Sequence, residues 1–561
     1  MVNKKKNIKN LKFFFLLSII TLLIFQSSQF SSSSSITISN KYKSKYGFHS
    51  NTVISEMQDK STLISNIITN KLISLGEQTN STIKWKNILN KTDDGELVFD
   101  YYSGQRGISS IGTAFLQIYK ITQNSTYLSI IKKIGNYLKD ISIKTSNGTV
   151  WPKSENNPWN WTGMRYGNAG IIPFLISLNQ MDNDISFYDL TSEAADYLVN
   201  IQKSNISEYA WWLTAGDTGF ITTDYYYGTT GIVSSLLDAY TLTKNDLYLN
   251  TAIKGVHWLD SLIEFTDDHF SSGFIPWAVT NDDYYNSIKY TGILSGQAGI
   301  GKVFLKLYNL TKNEKWFDNA EILGNWLRNQ DINDTGLFPY PGSPYLTNRG
   351  ENAKNLLGLS VGSIGIADFF LDLFEYDNND LWLYEVIRIT NRISESLEST
   401  EYGYLMPFEL YQFREKEYYT GYFYGLSGFV KYLSRLIELF NIPDHLKILD
   451  NLITSFQDLT GKFTGIIPTK LDEDYILTNG ENGLASIIIG LSSVNSIDTK
   501  SIGKFNNNFK NALISLPDPE LTYIDTETTV SIEIYVIIMS IIILSSIKRK
   551  LRFKNKRRKN Y

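Results

Sequence analysis

The chain has 561 residues, of which 42% are hydrophobic, 20% charged and 14% aromatic, a composition typical of globular proteins. Fourteen of its 53 basic residues lie in the first 12 and the last 14 residues, which contain no acidic residue. The other 39 basic residues face 57 acidic ones, a net charge of about −18, which excludes nucleic acid as a partner because phosphate binding needs clustered positive charge. The absence of cysteine excludes disulfides and sulfur-ligated zinc.

The N-terminal segment has the features of a secretion signal. Lysines between Lys4 and Lys12 precede an apolar run of 13 residues, Phe13–Phe25, and a serine-rich stretch, Ser31–Ser35, follows. Because this apolar run is too short to span a bilayer comfortably, we predict a signal peptide with its serine-rich segment over residues 1–35. An uncleaved membrane anchor is the alternative. A helical stretch, Val53–Leu75, precedes the repeats described next.

Seven copies of a Gly-x-x-Gly motif run through the chain at nearly even spacing. Successive copies begin 63, 61, 68, 66, 63 and 55 residues apart. Such regular spacing indicates a repeated supersecondary unit. The copies are Gly104/Gly107, Gly167/Gly170, Gly228/Gly231, Gly296/Gly299, Gly362/Gly365, Gly425/Gly428 and Gly480/Gly483.

Each repeat predicts two helices followed by a short extended loop. An apolar run comes directly after the glycines, for example Ile300–Leu310, and a polar turn separates it from an amphipathic segment such as Glu314–Gln330. The loop combines glycine, β-forming residues and proline, as in Gly273–Pro276, which indicates a short strand or hairpin. One apolar and one amphipathic helix per repeat imply an inner and an outer layer.

These elements predict an all-α fold, a closed α/α toroid of seven helical hairpins over residues 45–515. An open solenoid would need capping repeats. Instead, the seventh repeat has only a weak second helix after Val494, and the surplus helix Val53–Leu75 can pair with the seventh inner helix. Closure would bring all seven inner-helix N-termini and the short β-hairpin loops to one rim.

The C-terminal end predicts a membrane anchor. After a linker, residues 516–528, we predict a transmembrane helix over residues 529–547, since Val530–Ile547 is almost wholly apolar and runs into a basic tail, residues 548–561. Basic residues mark the cytoplasmic flank of such a helix. We therefore predict a single-pass protein of the cell membrane, with the repeats outside and the tail in the cytoplasm.

Seven Gly-x-x-Gly helical hairpins resemble the lanthionine synthetase C-like family, and the resemblance covers most of the predicted ectodomain. It implies an α/α toroid. Members with cyclase activity add cysteine thiols to dehydrated residues of a peptide, at a zinc ion held by two cysteines and one histidine. In the family these ligands stand just ahead of the glycines of the fifth and sixth repeats, and a His-Gly pair in the fourth repeat completes the catalytic end.

This chain lacks the zinc ligands that the resemblance implies. Ser295 stands at the histidine of the His-Gly pair, Ser360 replaces the first cysteine, and Phe423 and Tyr424 replace the second cysteine and the histidine. Zinc needs imidazole, thiolate or carboxylate ligands. We predict no metal and no cofactor, and a protein that, if it is an enzyme, is not a zinc-dependent lanthionine cyclase. Surface or packing roles are predicted for His49, His257, His269 and His445.

The rim is the predicted place of a functional site. Residues that directly or closely precede the first glycine of each repeat would point toward one shared mouth, where hydroxyl and amide groups orient a ligand and tyrosine rings stack on it. The predicted binding residues are Tyr166, Tyr227, Ser295, Ser360, Tyr424 and Asn479. The predicted catalytic acids, just upstream of two copies, are Glu417 and Asp224. In the alternative interpretation, the tyrosines fill the top of the barrel as core.

Other rim residues keep a carbohydrate-active function open. Paired carboxylates can hydrolyse glycosidic bonds, and exposed tryptophans can stack on sugars. Further candidate acids are Asp217, Asp282, Asp283, Glu415 and Asp472 to Asp474. The loop tryptophans predicted to be exposed are Trp151, Trp159, Trp161, Trp211, Trp212 and Trp277.

Three functions follow from these predictions. The first is a membrane-anchored, zinc-free lanthionine synthetase C-like protein that binds or modifies a peptide or another polymer in the toroid mouth. The second is an extracellular carbohydrate-active enzyme that uses rim carboxylates on a polysaccharide. The third is a surface protein without a ligand.

Overall fold

The computed structural model describes residues 50–86, 90–91, 97–98, 104, 106–154, 157–182, 185–216, 218–280, 288–331, 335–338, 355–410, 416–471, 477–500 and 502–506. The predicted signal peptide, linker, transmembrane helix and basic tail lie outside these residues. Among the helices that are described, none is both long enough and apolar enough to cross a membrane.

Seven of the described helices share one feature, because each begins directly after a glycine and buries most of its residues. We call them the inner helices. They are α2 (Ile108–Thr122), α4 (Asn168–Asp182), α6 (Thr229–Thr243), α8 (Gln297–Thr311), α10 (Ser363–Asp377), α12 (Leu426–Phe440) and α14 (Leu484–Ser492).

The amphipathic helices form the outer layer, and each pairs with an inner helix of its own repeat. They are α3 (Ser125–Asp140), α5 (Ile185–Asn200), α7 (Asp246–Asp260), α9 (Glu314–Arg328), α11 (Asp380–Glu395) and α13 (Pro443–Lys462). The seventh inner helix is followed only by a short 3-10 helix, Ser493–Ser496. Its outer partner is α1 (Ser50–Ser74), the helix predicted over Val53–Leu75.

The inner helices form a closed ring. Each contacts the inner helix of the next repeat, from α2 to α14, and α14 contacts α2 in turn. Helix α1 packs on α14 and α13 and so covers the joint between the two ends of the chain. The described residues are thus mostly helical and form the closed ring of hairpins that the repeats predict.

The turn between the two helices of a repeat has a local sequence cause. The inner helix ends at a residue with left-handed backbone, such as Gln123, Lys244 or Lys312, with φ values of 54° to 56°. The next residue is an asparagine whose side chain accepts a hydrogen bond from the first turn of the outer helix, as Asn313 does from the N–H of Lys315. This N-cap satisfies a backbone donor that the helix itself leaves unpaired, so two residues suffice to reverse the chain.

Seven two-stranded antiparallel hairpins are described between the helix pairs. They join β1 (Glu77–Gln78) to β2 (Ile83–Lys84), β3 (Asn90–Lys91) to β4 (Leu97–Val98), β5 (Ile143–Thr145) to β6 (Gly148–Val150), β7 (Pro152–Ser154) to β8 (Asn157–Asn160), β9 (Leu213–Ala215) to β10 (Thr218–Ile221), β11 (Glu264–Phe265) to β12 (Gly273–Phe274), and β13 (Glu398–Thr400) to β14 (Gly403–Leu405). The hairpins connect the end of an outer helix to the start of the next inner helix, as predicted.

Two of the loop tryptophans predicted to be exposed are part of the core. Trp151 and Trp212 are fully buried, and their indole N–H groups donate to the carbonyls of Leu138 and Leu198, at 2.7 and 2.6 Å. A buried indole needs a hydrogen-bond partner, and the end of the preceding outer helix supplies one. The prediction of exposure was wrong for these two residues, which fix each hairpin to its helix.

The structure also corrects the register of the first and last glycine copies. The inner helices begin after Gly107 and Gly483, the second glycines of those copies, whereas in the other five repeats they begin after the first glycine. The spacing of these N-cap glycines is 60, 61, 68, 66, 63 and 58 residues, which is more even than the spacing of the motifs. Ser110 and Ser486 hold the place of the second glycine in the two corrected repeats.

Candidate functional site

A circle of backbone hydrogen bonds runs around the rim where the inner helices begin. The N–H of Arg106 donates to the carbonyl of Arg165, and the next five members each donate likewise to the following repeat, with N···O distances of 2.9 to 3.0 Å. The N–H of Glu481, the last member, donates to the side-chain oxygen of Asn479. In chain order its members are Arg106, Arg165, Tyr226, Leu294, Ser360, Phe423 and Glu481. All stand one or two residues before an N-cap glycine, so the circle holds equivalent residues of the seven repeats together.

Side chains of this circle meet across the mouth of the ring. The Tyr226 hydroxyl of the third repeat donates to the carboxylate of Glu481 in the seventh. The rings of Tyr226 and Phe423, from the third and sixth repeats, lie 6.0 Å apart. These repeats are not neighbours in the ring, so their contact shows that the side chains reach the middle of the rim.

A group of charged and aromatic side chains surrounds Glu481, and we call it the mouth cluster. Its members are Arg106, Trp161, Arg165, Tyr166, Tyr226, Tyr227 and Glu481. The Nε atoms of Arg165 and Arg106 lie 3.5 and 3.9 Å from the Glu481 carboxylate oxygens. Both guanidinium groups also donate to tyrosine hydroxyls, Arg106 to Tyr166 at 2.8 Å and Arg165 to Tyr227.

Arg165 is held between aromatic rings. Its guanidinium carbon lies 4.7, 4.9 and 5.5 Å from the ring centres of Tyr226, Tyr166 and Tyr227. Trp161 continues the aromatic surface, with its ring centre 5.3 Å from that of Tyr166. Cation–π attraction and stacking fix the direction of this guanidinium. The mouth therefore presents an oriented cation within an aromatic wall.

Burial and charge oppose each other at Glu481. Burial raises the pKa of its carboxyl, and the neighbouring Arg165 and Arg106 counteract part of that rise. For Arg165, burial alone would lower the pKa, but Glu481, Tyr227 and Tyr166 together outweigh the effect of burial and raise it. A buried carboxyl with a raised pKa in a concave rim is a candidate for proton transfer or ligand binding.

Three of the predicted binding residues lie at or beside the mouth cluster. Tyr166 and Tyr227 belong to the mouth cluster, with ring centres 6.3 Å apart. Tyr424 packs, as Tyr227 does, against the small cluster of Tyr226, Leu294 and Phe423. Its ring also lies against those of Phe408 and Tyr419, at 5.6 and 6.0 Å.

The other three predicted binding residues have different environments. Ser295 is half-buried before its N-cap glycine, Gly296. The buried Ser360 hydroxyl donates to the Phe423 carbonyl at 2.8 Å. The side-chain oxygen of Asn479 accepts from the backbone N–H groups of Glu481 and Asn482, so it caps the turn before α14.

The two predicted catalytic acids contact different repeats. The fully buried Asp224 accepts hydrogen bonds from the backbone N–H of Tyr227 at 2.6 Å and from the indole of Trp277 at 2.6 Å. Burial raises the pKa of Asp224 to about 6. Glu417 is more exposed and accepts from Lys470 at 3.0 Å and from the Tyr419 hydroxyl at 3.4 Å. The further candidate acids Asp217, Asp282, Asp283, Glu415 and Asp472 to Asp474 lie outside the described residues.

Sequence reasoning missed Arg106, Arg165 and Glu481. Each stands among the residues just before an N-cap glycine, so the corrected register would have selected them. Glu481 was not selected because Gly480 was counted as the first glycine of its repeat, and Glu481 comes after that glycine instead of before it. Arg165 stands two residues before its N-cap glycine, as Ser360 does in the fifth repeat. In the second repeat, however, the prediction took Tyr166, which stands one residue before the glycine.

The residues at the family's zinc positions are packed as neutral groups. Phe423 contacts Tyr226, Ser360 donates to a backbone carbonyl, and Tyr424 lies among aromatic rings. Over the part of the chain that the structure describes, no three His, Asp or Glu side chains lie together as metal ligands would. His445 is a packing residue, since it is buried and its burial lowers its pKa to about 4.

Several solved structures show a distant likeness to this chain. A sugar epimerase from a ruminal bacterium is 12% identical, with 64% of this chain and 90% of that chain covered and a TM-score of 0.46. Cellobiose 2-epimerase from Bacillus thermoamylovorans B4167 is 12% identical, with coverages of 64% and 92% and a TM-score of 0.45. The GH76A alpha-1,6-mannanase from Salegentibacter sp. HEL1_6 is 12% identical, with coverages of 78% and 100% and a TM-score of 0.41. All three TM-scores are below 0.5, and neither the fold nor the function of this chain rests on them.

No curated protein sequence matches the chain. A family model does match, that of "Lanthionine synthetase C-like protein", over residues 51–207 and 158–321. The two matched ranges overlap, as expected when one model aligns with successive repeats of a single ring. The resemblance predicted from the Gly-x-x-Gly hairpins is therefore confirmed, since residues 51–321 match the model of the lanthionine synthetase C-like family.

Proposed function

We propose that this chain is a membrane-anchored, extracellular lanthionine synthetase C-like protein that binds or modifies a peptide or another polymer in the toroid mouth. The mouth cluster is the observation that supports it. Oriented guanidinium groups, tyrosine hydroxyls and a buried carboxyl converge there from four repeats. Specific ligand sites combine apolar and aromatic walls with a few oriented polar groups of this kind.

The zinc chemistry of the cyclases is not part of this proposal. Ser360, Phe423 and Tyr424 stand at the ligand positions, and none of these side chains is a usual zinc ligand. Elemental analysis of the purified chain should find no stoichiometric zinc. One tightly held zinc per molecule would contradict the assignment.

Ligand binding can be tested with the full-length chain in detergent. Peptide and glycan arrays should show a preferred ligand. A variant with Tyr227→Phe, Tyr424→Phe and Glu417→Gln should bind it more weakly while its melting temperature stays nearly unchanged. If instead the melting temperature falls sharply and binding persists, the tyrosines are core residues and the mouth is not the site.

The proposed membrane topology rests on sequence features. Protease added to intact cells should remove the repeats and spare a tag placed after Tyr561. Repeats that resist the protease until the membrane is permeabilised would show that the topology is reversed.

A carbohydrate-active enzyme is the second candidate, favoured by aromatic side chains exposed on rim hairpins. Trp159 in β8 and Phe220 in β10 are 58% and 64% exposed, and such rings stack on sugars. Glu417 and Asp224 remain the proposed acids. Turnover of a glycan found on the array, and its loss in Glu417→Gln, would support this candidate. Arrays without any bound ligand would favour a surface protein without a ligand.

A further inference from the structure

Eight Asn-x-Ser/Thr sequons, the sequence signal for an N-linked glycan, occur in the chain. A glycan is bulky and hydrophilic, so the asparagine that carries it must lie at the surface of the folded chain. The structure describes the asparagine side chains of six sequons, and it separates these six by position and by burial. They are Asn80, Asn124, Asn147, Asn160, Asn205 and Asn309.

Three of the six hold the same place in neighbouring repeats of the ring. Asn80, Asn147 and Asn205 follow the outer helices α1, α3 and α5, each within seven residues of the end of its helix. Each loop ends at a tryptophan whose indole N–H donates to a carbonyl of the preceding helix, at 2.6 or 2.7 Å. These tryptophans are Trp85, Trp151 and Trp212. Sequons that arise by chance in an asparagine-rich chain have no reason to recur at one place of the repeat.

The loops of these three sequons lie on the outer wall of the ring, and their asparagine side chains are exposed. Asn136 of α3 donates to a backbone carbonyl in the loop of Asn80, with an N···O distance of 3.1 Å. Asn200, the last residue of α5, donates to the carbonyl of Asn147 at 3.0 Å. A backbone hydrogen bond joins the loop of Asn205 to α7. Because each loop is bonded to the next outer helix, a glycan on it would stand outside the ring and leave the mouth open.

The other three asparagines are buried or bonded within the fold. Asn160 is half-buried, its side-chain oxygen is shielded from solvent, and it directly precedes Trp161 of the mouth cluster. Asn124 and Asn309 lie at the opposite end of the ring, beside the turns between inner and outer helices. The Asn124 side chain caps α3, and that of Asn309 accepts from Lys312 at 3.2 Å. Asn160 is thus the clearest contrast to the three exposed loops.

We infer that Asn80, Asn147 and Asn205 carry N-linked glycans and that Asn160 does not. The donor is a lipid-linked oligosaccharide phosphate, and an oligosaccharyltransferase in the membrane of the cell performs the transfer. The side-chain Nδ2 forms a bond to the anomeric carbon of the first sugar and loses one proton. The bond from this carbon to the phosphate oxygen breaks, and the lipid phosphate leaves with the bonding electron pair. The inference rests on the proposed extracellular location, because sequons are modified in secreted segments.

The test is mass spectrometry of peptides from the full-length chain, produced in cultured animal cells. An amidase that releases N-linked glycans converts each glycosylated asparagine to aspartate, so the converted positions identify the sites. Asn80, Asn147 and Asn205 should be converted in most molecules, and Asn160 in none.

Variants connect the glycans to single sequons. On a gel, Asn80→Gln, Asn147→Gln and Asn205→Gln should each remove one step of the mobility shift that the amidase produces. Ser207→Ala keeps Asn205 but removes the hydroxyl of its sequon, so it should remove the same step as Asn205→Gln. Asn160→Gln is the matched control and should leave the shift unchanged. If this variant does not fold, the wild-type peptide that contains Asn160 decides for that position.

The possible results separate the inference from the proposed location. Unmodified Asn80, Asn147 and Asn205, in chains whose repeats are cut by protease on intact cells, would overturn the inference and leave the location in place. The same three residues unmodified, in chains whose repeats resist the protease, would overturn both. A glycan on Asn160 would show that exposure in the fold does not select the sites, and would overturn the inference as well.

Discussion

Asp224 and Asn479 hold the same place in their repeats, four residues before an N-cap glycine. Each side-chain oxygen accepts two backbone N–H groups of the turn that leads into the inner helix. In four other repeats this place is a glycine, and a Cβ there would collide with the backbone of the next repeat; these are Gly163, Gly292, Gly358 and Gly421. The turn is thus stabilised by a side-chain acceptor in two repeats and by close backbone packing in four. Asp224 has a structural reason to be present, whatever its part in binding.

Asp224 should make the folded chain less stable as the pH rises. Its pKa is about 6 in the folded chain and 3.8 ordinarily, so the folded state binds more protons between these values. Stability from this group is therefore lost as pH rises from 3.8 to 6, by up to about 3 kcal/mol. Between pH 4 and 7, urea unfolding should show wild type losing stability relative to Asp224→Asn. A constant difference across this range would contradict the prediction.

Glycine is required in the first turn of an inner helix because the backbone of the preceding turn leaves no room for a Cβ. A Cβ on Gly299 would overlap the carbonyl oxygen of Ile293, a backbone atom that cannot move aside easily. Gly299→Ala should therefore lower the free energy of unfolding by about 2–4 kcal/mol. Gly461→Ala is the control, because a Cβ there meets nothing within 4 Å, and it should be neutral or stabilising by up to about 0.5 kcal/mol. Equal effects of the two changes in urea unfolding would show that close contact is not the cause.

Among the elements, α1 decides whether the ring closes. It precedes all the glycine motifs, yet its buried residues belong to the same core as the repeats. Its side chains also bond to the last repeat, as Ser61 does to the Leu491 carbonyl at 2.7 Å and Gln58 to those of Val494 and Ile497. The sequence predicted this helix from its apolar spacing, and predicted its partner only from the missing second helix of the seventh repeat.

Removing side-chain volume from the inner face of α1 should destabilise the whole ring. Ile68 is fully buried, and Ile68→Ala should cost about 2–5 kcal/mol through lost burial and the cavity left behind. Its neighbour Ile67 is 39% exposed, so Ile67→Ala should cost clearly less. Urea unfolding followed by tryptophan fluorescence measures both. If Ile68→Ala leaves the transition unchanged, α1 is not part of the cooperative fold.

The molecule as a whole is held together by charges as well as by its core. Lys302 of α8 and Arg435 of α12 both pair with Asp368 of α10, at 2.8 and 2.7 Å, so a single carboxylate links three successive inner helices. Burial alone would raise the pKa of Asp368, but the two cations hold it well below its ordinary value. Its stabilising effect is therefore complete above pH 3.8 and is lost as pH falls further.

Breaking this link should weaken the ring. Asp368→Asn leaves Lys302 and Arg435 without one of their half-buried partners, although both keep Asp372, and should cost about 1.5–3 kcal/mol at pH 7. The difference from wild type should shrink as the pH falls below 3.8, because Asp368 then takes up a proton in the unfolded chain while it stays ionised in the folded one. Glu401→Gln, which breaks an exposed pair with Lys462, is the control and should leave the urea midpoint unchanged. A pH-independent cost for Asp368→Asn would argue against a charge effect.

The repeat architecture was determined by the sequence alone. Helix pairs, two-residue turns and interrepeat hairpins are local features, so spacing patterns such as Glu314–Gln330 predicted α9 (Glu314–Arg328) nearly to its ends. Only the tertiary structure decided the register of the first and last repeats, the burial of Trp151 and Trp212, and the composition of the mouth cluster. The mouth cluster in particular depends on contacts between residues far apart in the chain, as between Tyr226 and Glu481, which are 255 residues apart. No local pattern encodes such a contact, because it exists only once the ring has closed.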